Sequence, residues 1–244
     1  GASPAGAPYT EGAPSPGGSL YVPIALQPGE SRRLELRLAW HVPVTDLRLG
    51  SDDADPSTCC ECSGTHTPWY AGVFSDIEAV NAYWRMHYAD LRAQTELFTS
   101  TFYDTTLPEE VVAAVAANLT ILKSPTVQRQ VDGRLWCWEG CCEARGCCHG
   151  SCTHVWNYAQ AIPHLFPSLE RTLRETEFFV DQDARGHQAF RASLPIRPPK
   201  HDFHAAADGQ LGGIMKAYRE WRISGDEMWL RRIWPKVKQS LNYC

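Results

Sequence analysis

The chain has 244 residues, room for one large domain or two smaller ones, and its 43 % hydrophobic, 11 % aromatic and 21 % charged residues describe a globular protein, not a disordered or membrane-spanning one. A formal net charge of −5 offers no broad positive field to a phosphate backbone, which argues against a nucleic-acid partner and for a polar small molecule. The most apolar run, residues 111–122, is too short to cross a bilayer and is interrupted by Asn118 and Thr120, so no transmembrane segment is expected.

In chain order, residues 1–18, "GASPAGAPYTEGAPSPGG", cannot bury enough apolar surface to offset their ordering entropy and read as a low-complexity, disordered tail. The chain opens with Gly1 and lacks a basic-then-apolar leader, which reads as a processed or truncated start. The turn signal "QPGE" then leads into Leu34, Leu36, Leu38, Trp40 and Val42 at every second position, the pattern of a half-buried strand belonging to a larger sheet. After a polar loop holding Cys59, Cys60 and Cys62, helical spacing begins. With Ser75 as N-cap, Ile77, Val80, Tyr83, Trp84, Tyr88, Leu91 and Leu97 form one apolar stripe. A second helix starts with Pro108 at its first position and runs through Val111, Val112, Val115, Leu119 and Leu122. Others are expected over residues 153–166, after Pro167 with Leu169, Leu173 and Phe179 inward, and over 208–223 closed by Gly225. A last one carries Trp229, Ile233, Val237 and Leu241 in a stripe, with Pro235 a kink point. The fold class is therefore mainly α, a short β segment followed by at least six helices, in hairpins that stack as a solenoid or close into a toroid.

The densest chemistry lies in "WCWEGCCEARGCCHGSC", residues 136–152. Glu139 stands between Trp136, Trp138 and a glycine. A carboxylate that attacks an anomeric carbon must be ionised, aimed and shielded, and indoles supply both the shield and a flat face for a sugar ring; the plainer reading is a surface loop whose tryptophans are core. Cys137, Cys141, Cys142, Cys147, Cys148 and Cys152, with His149 and His154, hold enough soft ligands for zinc. Adjacent doublets rarely place both sulfurs on one ion, however, so bridges or unpaired thiols remain open beside a zinc-stabilised interaction module. His154, Trp156 and Asn157 follow near one another, and Asp208 and Gln210 lie in "HAAADGQLGG". Polar groups beside an indole suit a sugar site, whereas His154 as a cap and Asp208 as an N-cap are the plain alternatives.

The segments "WCWEG", "GCCHGSCTHVWNYAQAIPHLFPSLERTLRE", "ADGQLGGIMKAYREWRISGD" and "WLRRIWPKVKQSLNY" resemble the catalytic region of glycoside hydrolase family 116, that of the non-lysosomal glucosylceramidase and bacterial β-glucosidases. "IALQPGESRRLELRLAWHVP" is similar to the end of that family's N-terminal β-sandwich, and "TSTFYDTTLPEEVVAAVAANLTILKS" to the first helices of its (α/α)6 barrel. The resemblance implies that residues 19–68 are the end of a β-sandwich and a linker, and that residues 69–244 are the N-terminal part of an (α/α)6 toroid. It implies a retaining β-glucosidase with Glu139 as nucleophile and sugar contacts from Trp136, Trp138, His154, Trp156, Asn157, Asp208 and Gln210. The substrate would be a β-glucoside or a glucosylceramide-like lipid, with no cofactor and no metal. Where the family has an Asp after the nucleophile loop, this chain has Thr153 or His154. The family's acid/base aspartate falls beyond residue 244, so these residues alone are expected to be inactive; a carbohydrate-binding or scaffolding helical protein is the alternative.

Overall fold

The computed structural model describes residues 19–50, 64–138, 150–156 and 161–244, which fall into two compact units, 1–38 and 39–244. In the first unit the expected turn is present: Glu30 N donates to Gln27 O at 2.9 Å, with Gly29 at φ +81°. The expected strand is not. Leu34, Leu36 and Leu38 are exposed and none belongs to a ladder, because an alternating segment becomes a strand only when another backbone pairs with it. Trp40 and Val42, at the start of the second unit, are equally exposed. Pairing in that segment begins at Thr45, which exchanges both backbone bonds with His66.

The second unit is mainly helical: α1 (Trp69–Val73), α2 (Ile77–Tyr103), α3 (Glu109–Leu119) and a 3-10 turn (Thr120–Lys123), then strands β1 (Val127–Arg129) and β2 (Leu135–Cys137), then α4 (Thr153–Trp156), α5 (Ala161–Leu165), α6 (Pro167–Phe179), α7 (Ala207–Ser224) and α8 (Glu227–Tyr243). Asp76, not Ser75, caps α2, accepting from Ala79 N at 2.7 Å while Ser75 Oγ donates to its other oxygen. Pro108 sits one residue earlier than expected, as the N-cap of α3. The apolar stripe of α2 exists, yet α2 holds no buried residue.

The core lies around α6, α7, α8 and the small hairpin. Gly225 closes α7 in the left-handed conformation at φ +64°, as expected of a C-cap glycine, and Asp226 caps α8 by accepting from Trp229 N at 2.9 Å. Trp229, Ile233 and Val237 are buried against Phe178 and Ala217. The stripe then leaves the core: Leu241 is exposed and Ser240 is fully buried, since positions four apart drift around a 3.6-residue helix. Phe178, not Phe179, faces inward, against a second cluster with Ala217 and Trp229 on another side of α6 from Leu173, and Phe179 is exposed. Pro235 lies within a continuous α8.

The hairpin was not expected. Its signal is Asp132-Gly133: Gly133 adopts φ +90° and Gln130 N donates to Arg134 O across the turn at 2.9 Å. β2 is buried on both faces. Leu135 and Cys137 join Trp156, Ile162 and Leu173 on one side, while Trp136 joins Ala192, Leu194 and Ile196 on the other, the two-residue alternation of a strand between two layers. No described helix is long and apolar enough to cross a membrane.

Candidate functional site

The hairpin brings the tryptophan-rich motif to a defined place. At the end of β2 the chain is clasped to its own return: Ser151 N donates to Cys137 O at 2.6 Å, and Cys137 N donates to Ser151 Oγ at 3.0 Å. Trp138 N bonds back to Thr126 O at 3.0 Å. Cys137 and Ser151 are thus held side by side. Ala192 N donates to Gly150 O at 2.6 Å, and Thr153 N to Phe190 O at 3.0 Å. Gly150 has φ +79° and a Cβ there would sit 2.3 Å from Ala192 O, so both conformation and space require glycine.

From this clasp α4 leads directly to His154, whose Nδ1 meets Asp208 Oδ2. The bond joins residues 54 apart in sequence. α4 and the start of α7 approach closely because residue 209 lacks a side chain: a Cβ on Gly209 would lie 2.2 Å from Thr153 Oγ1. The side chains of His154 and Asp208 are each 55 % exposed. The hydrogen bond from His154 holds the Asp208 carboxyl below the usual carboxylate range, so it is ionised at neutral pH. Asp208 is not the N-cap of α7; Ala206 is.

The other expected contacts are placed differently. Trp136 is completely buried and its Nε1 donates to Ala192 O at 3.1 Å; it meets Trp138 edge-on, with ring centroids 5.5 Å apart. Trp138 is half-buried, and its Nε1 is shielded without a hydrogen-bond partner among the described residues. Trp156 is buried in the core with Leu135 and Leu173. Gln210 is 1 % exposed and its amide is committed: Nε2 donates to Gly186 O and Ser240 O, each at 2.9 Å, and Oε1 accepts from Gln188 N at 3.2 Å. Glu139, Cys141, Cys142, Cys147, Cys148, His149 and Asn157 lie outside the described residues, as do Cys59, Cys60 and Cys62. Cys137 and Cys152 are buried free thiols, and burial pushes the Cys137 thiol up.

No protein-family model matches the chain, and no curated protein matches it significantly.

Two further features had no place in the sequence reading. A cavity of about 630 Å³ lies between α2, the 3-10 turn, the hairpin and α5, lined among others by Leu91, Phe98, Leu122, Leu135, Ile162 and Phe166; none of the expected sugar contacts among the described residues lines it. Beneath the surface of α6 and α7 is a buried ionic cluster. Arg174 bonds Glu177 and lies 3.5 Å from Glu220 and 3.7 Å from Glu170, while Lys216 Nζ donates to Glu177 at 3.0 Å and Arg219 reaches Glu170 at 3.0 Å and Glu220 at 2.7 Å. Three cations face three carboxylates. The sequence signal was available in part: Glu170, Arg174 and Glu177 fall at four- and three-residue steps, one face of a helix, and it is the face that carries the buried Leu173.

Proposed function

We propose that this chain carries the nucleophile half of a retaining β-glucosidase site, built on the first helical hairpins of an (α/α)6 toroid. The observation that supports the reading best is the meeting of His154 and Asp208, exposed and one turn beyond the clasp between Cys137 and Ser151. Hexose hydroxyls need paired donors and acceptors on a rigid mount, and a carboxylate with an imidazole bonded to it supplies that at one edge of the site. Glu139 follows Trp138 directly in the sequence. In this reading Glu139 forms the glycosyl-enzyme ester, and a second carboxylic acid protonates the departing oxygen and then activates water. The half-buried Trp138 offers the sugar its apolar wall. Trp136, Trp156 and Gln210 are buried in the core and touch no sugar in this reading.

The test uses the natural full-length protein and a 2-deoxy-2-fluoro-β-glucosyl fluoride, which traps the ester. One fluoroglucosyl group on the peptide containing residue 139 is expected, with none in Glu139→Gln. Asp208→Ala is expected to slow trapping about tenfold or more, the loss of a hydrogen bond to a charged group. Labelling at another residue, or turnover that survives Glu139→Gln, refutes the assignment.

A further inference from the structure

A second cluster lies apart from the residues used above. Asp183 and His187 flank a tight turn in which Asp183 N donates to His187 O at 2.9 Å and Gly186 N to Asp183 O at 3.2 Å. The turn is strapped to two helices: Gln210 of α7 bonds the Gly186 carbonyl, and Gln239 of α8 bonds the Ala184 carbonyl. Gly186, at φ +97°, lies so close to α8 that a Cβ would stand 2.2 Å from Gln239 O. His201 arrives from farther along the same connection between α6 and α7. Its Nδ1 stands 3.2 Å from His187 Nδ1, and one ligand atom from each of Asp183, His187 and His201 lies within 4.8 Å of the others.

We propose that Asp183, His187 and His201 form a binding site for a single divalent transition ion of the zinc type. Two nitrogens bonded to one tetrahedral zinc stand about 3.3–3.4 Å apart, from bond lengths of about 2.0–2.1 Å, close to the 3.2 Å seen here. Only one proton fits between two imidazole nitrogens, and an ion in its place satisfies both lone pairs. His187 is 2 % exposed, its ring stacked on Tyr243 with centroids 5.2 Å apart. Asp183 Oδ1 accepts from Arg185 N and His187 N, and Oδ2 from Arg185 Nε; these bonds orient the carboxylate as outer partners of metal ligands do. Two nitrogens and one carboxylate leave a coordination position for water, and the ion would tie the two ends of the α6–α7 connection together. The ligand set is distinct from the cysteine-rich stretch and does not rest on the glycosidase reading.

Cobalt(II), a spectroscopic substitute for zinc, tests this on the full 244-residue chain. One equivalent is expected to bind with visible d–d bands, and His201→Gln, at a half-exposed position, is expected to weaken that binding about 100-fold. Zinc is expected to raise the melting temperature of the parent and not of His201→Gln. No bound cobalt, or a cobalt spectrum and stoichiometry unchanged by His201→Gln, overturns the proposal; the second result would assign the ion to the cysteines.

Discussion

Replacing Arg174 by Met and, separately, Lys216 by Met separates the two cations of the buried cluster. Both are nearly inaccessible and both bond Glu177, so a count of ion pairs makes them equivalent. Their surroundings do not. Burial works against the charge of Arg174, but Glu177, Glu220 and Glu170 together more than offset it and hold the guanidinium charged. For Lys216 burial comes first and repulsion from Arg174 second, so its ammonium is pushed down to about 8. At 3.5 Å and an effective dielectric of 20, each longer Arg174 contact has a gross attraction of about 5 kcal/mol, set against a desolvation of several kcal/mol for the guanidinium. Removing it leaves carboxylates short of a partner, and breaking such a pair costs about 3–5 kcal/mol. Lys216→Met removes a charge whose desolvation already consumes most of its attraction, and Glu177 keeps Arg174. The expected cost is less than half as large, about 1–2 kcal/mol. Urea unfolding followed by tryptophan fluorescence measures both; with a slope of about 3 kcal/mol per molar, Arg174→Met lowers the midpoint by more than about 1 M. Equal losses for the two variants, or a loss below about 1 kcal/mol for Arg174→Met, would refute this account of the cluster.

Two more expectations concern the same core. Burial, and then Glu177, raise the Asp181 carboxyl well above its usual range, and burial raises Glu220 to about 7. Both acids hold protons in the folded chain at pH values where the unfolded chain has lost them, so stability falls as pH rises above the ordinary carboxyl range, for Glu220 up to about 7. Asp181→Asn mimics the protonated acid and is expected to raise the melting temperature at pH 8 while changing little at pH 4.5; an unchanged melting temperature at pH 8 counts against a neutral Asp181. Gln210→Leu leaves two carbonyls and one N–H of the core unpaired and is expected to cost about 2–4 kcal/mol. Monosaccharide affinity of the folded variant should match the parent, and a selective loss of affinity would return Gln210 to the sugar site.

The mainly α class, most helix bounds and the closing role of Gly225 follow from the sequence because they depend on local rules: spacing near 3.6, proline at a helix start, glycine after its end. The sequence also singled out His154 and Asp208 without a reason to join them. What it lacked is visible in residues 34–42, where alternation without a pairing partner yields exposed side chains, and in α2, whose apolar stripe meets no layer that buries it. Local pattern states which face a segment would bury, and only the chain as a whole supplies the surface that does so. The same distinction holds for function. Trp136, Trp156 and Gln210 look like binding residues by type, yet long-range contacts with Ala192, Leu173 and Gly186 bury them in the core. His187 and His201 show the opposite case, two unremarked histidines 14 residues apart on one connection whose nitrogens meet at 3.2 Å, with a glutamine on each of two helices fixing the turn that carries His187.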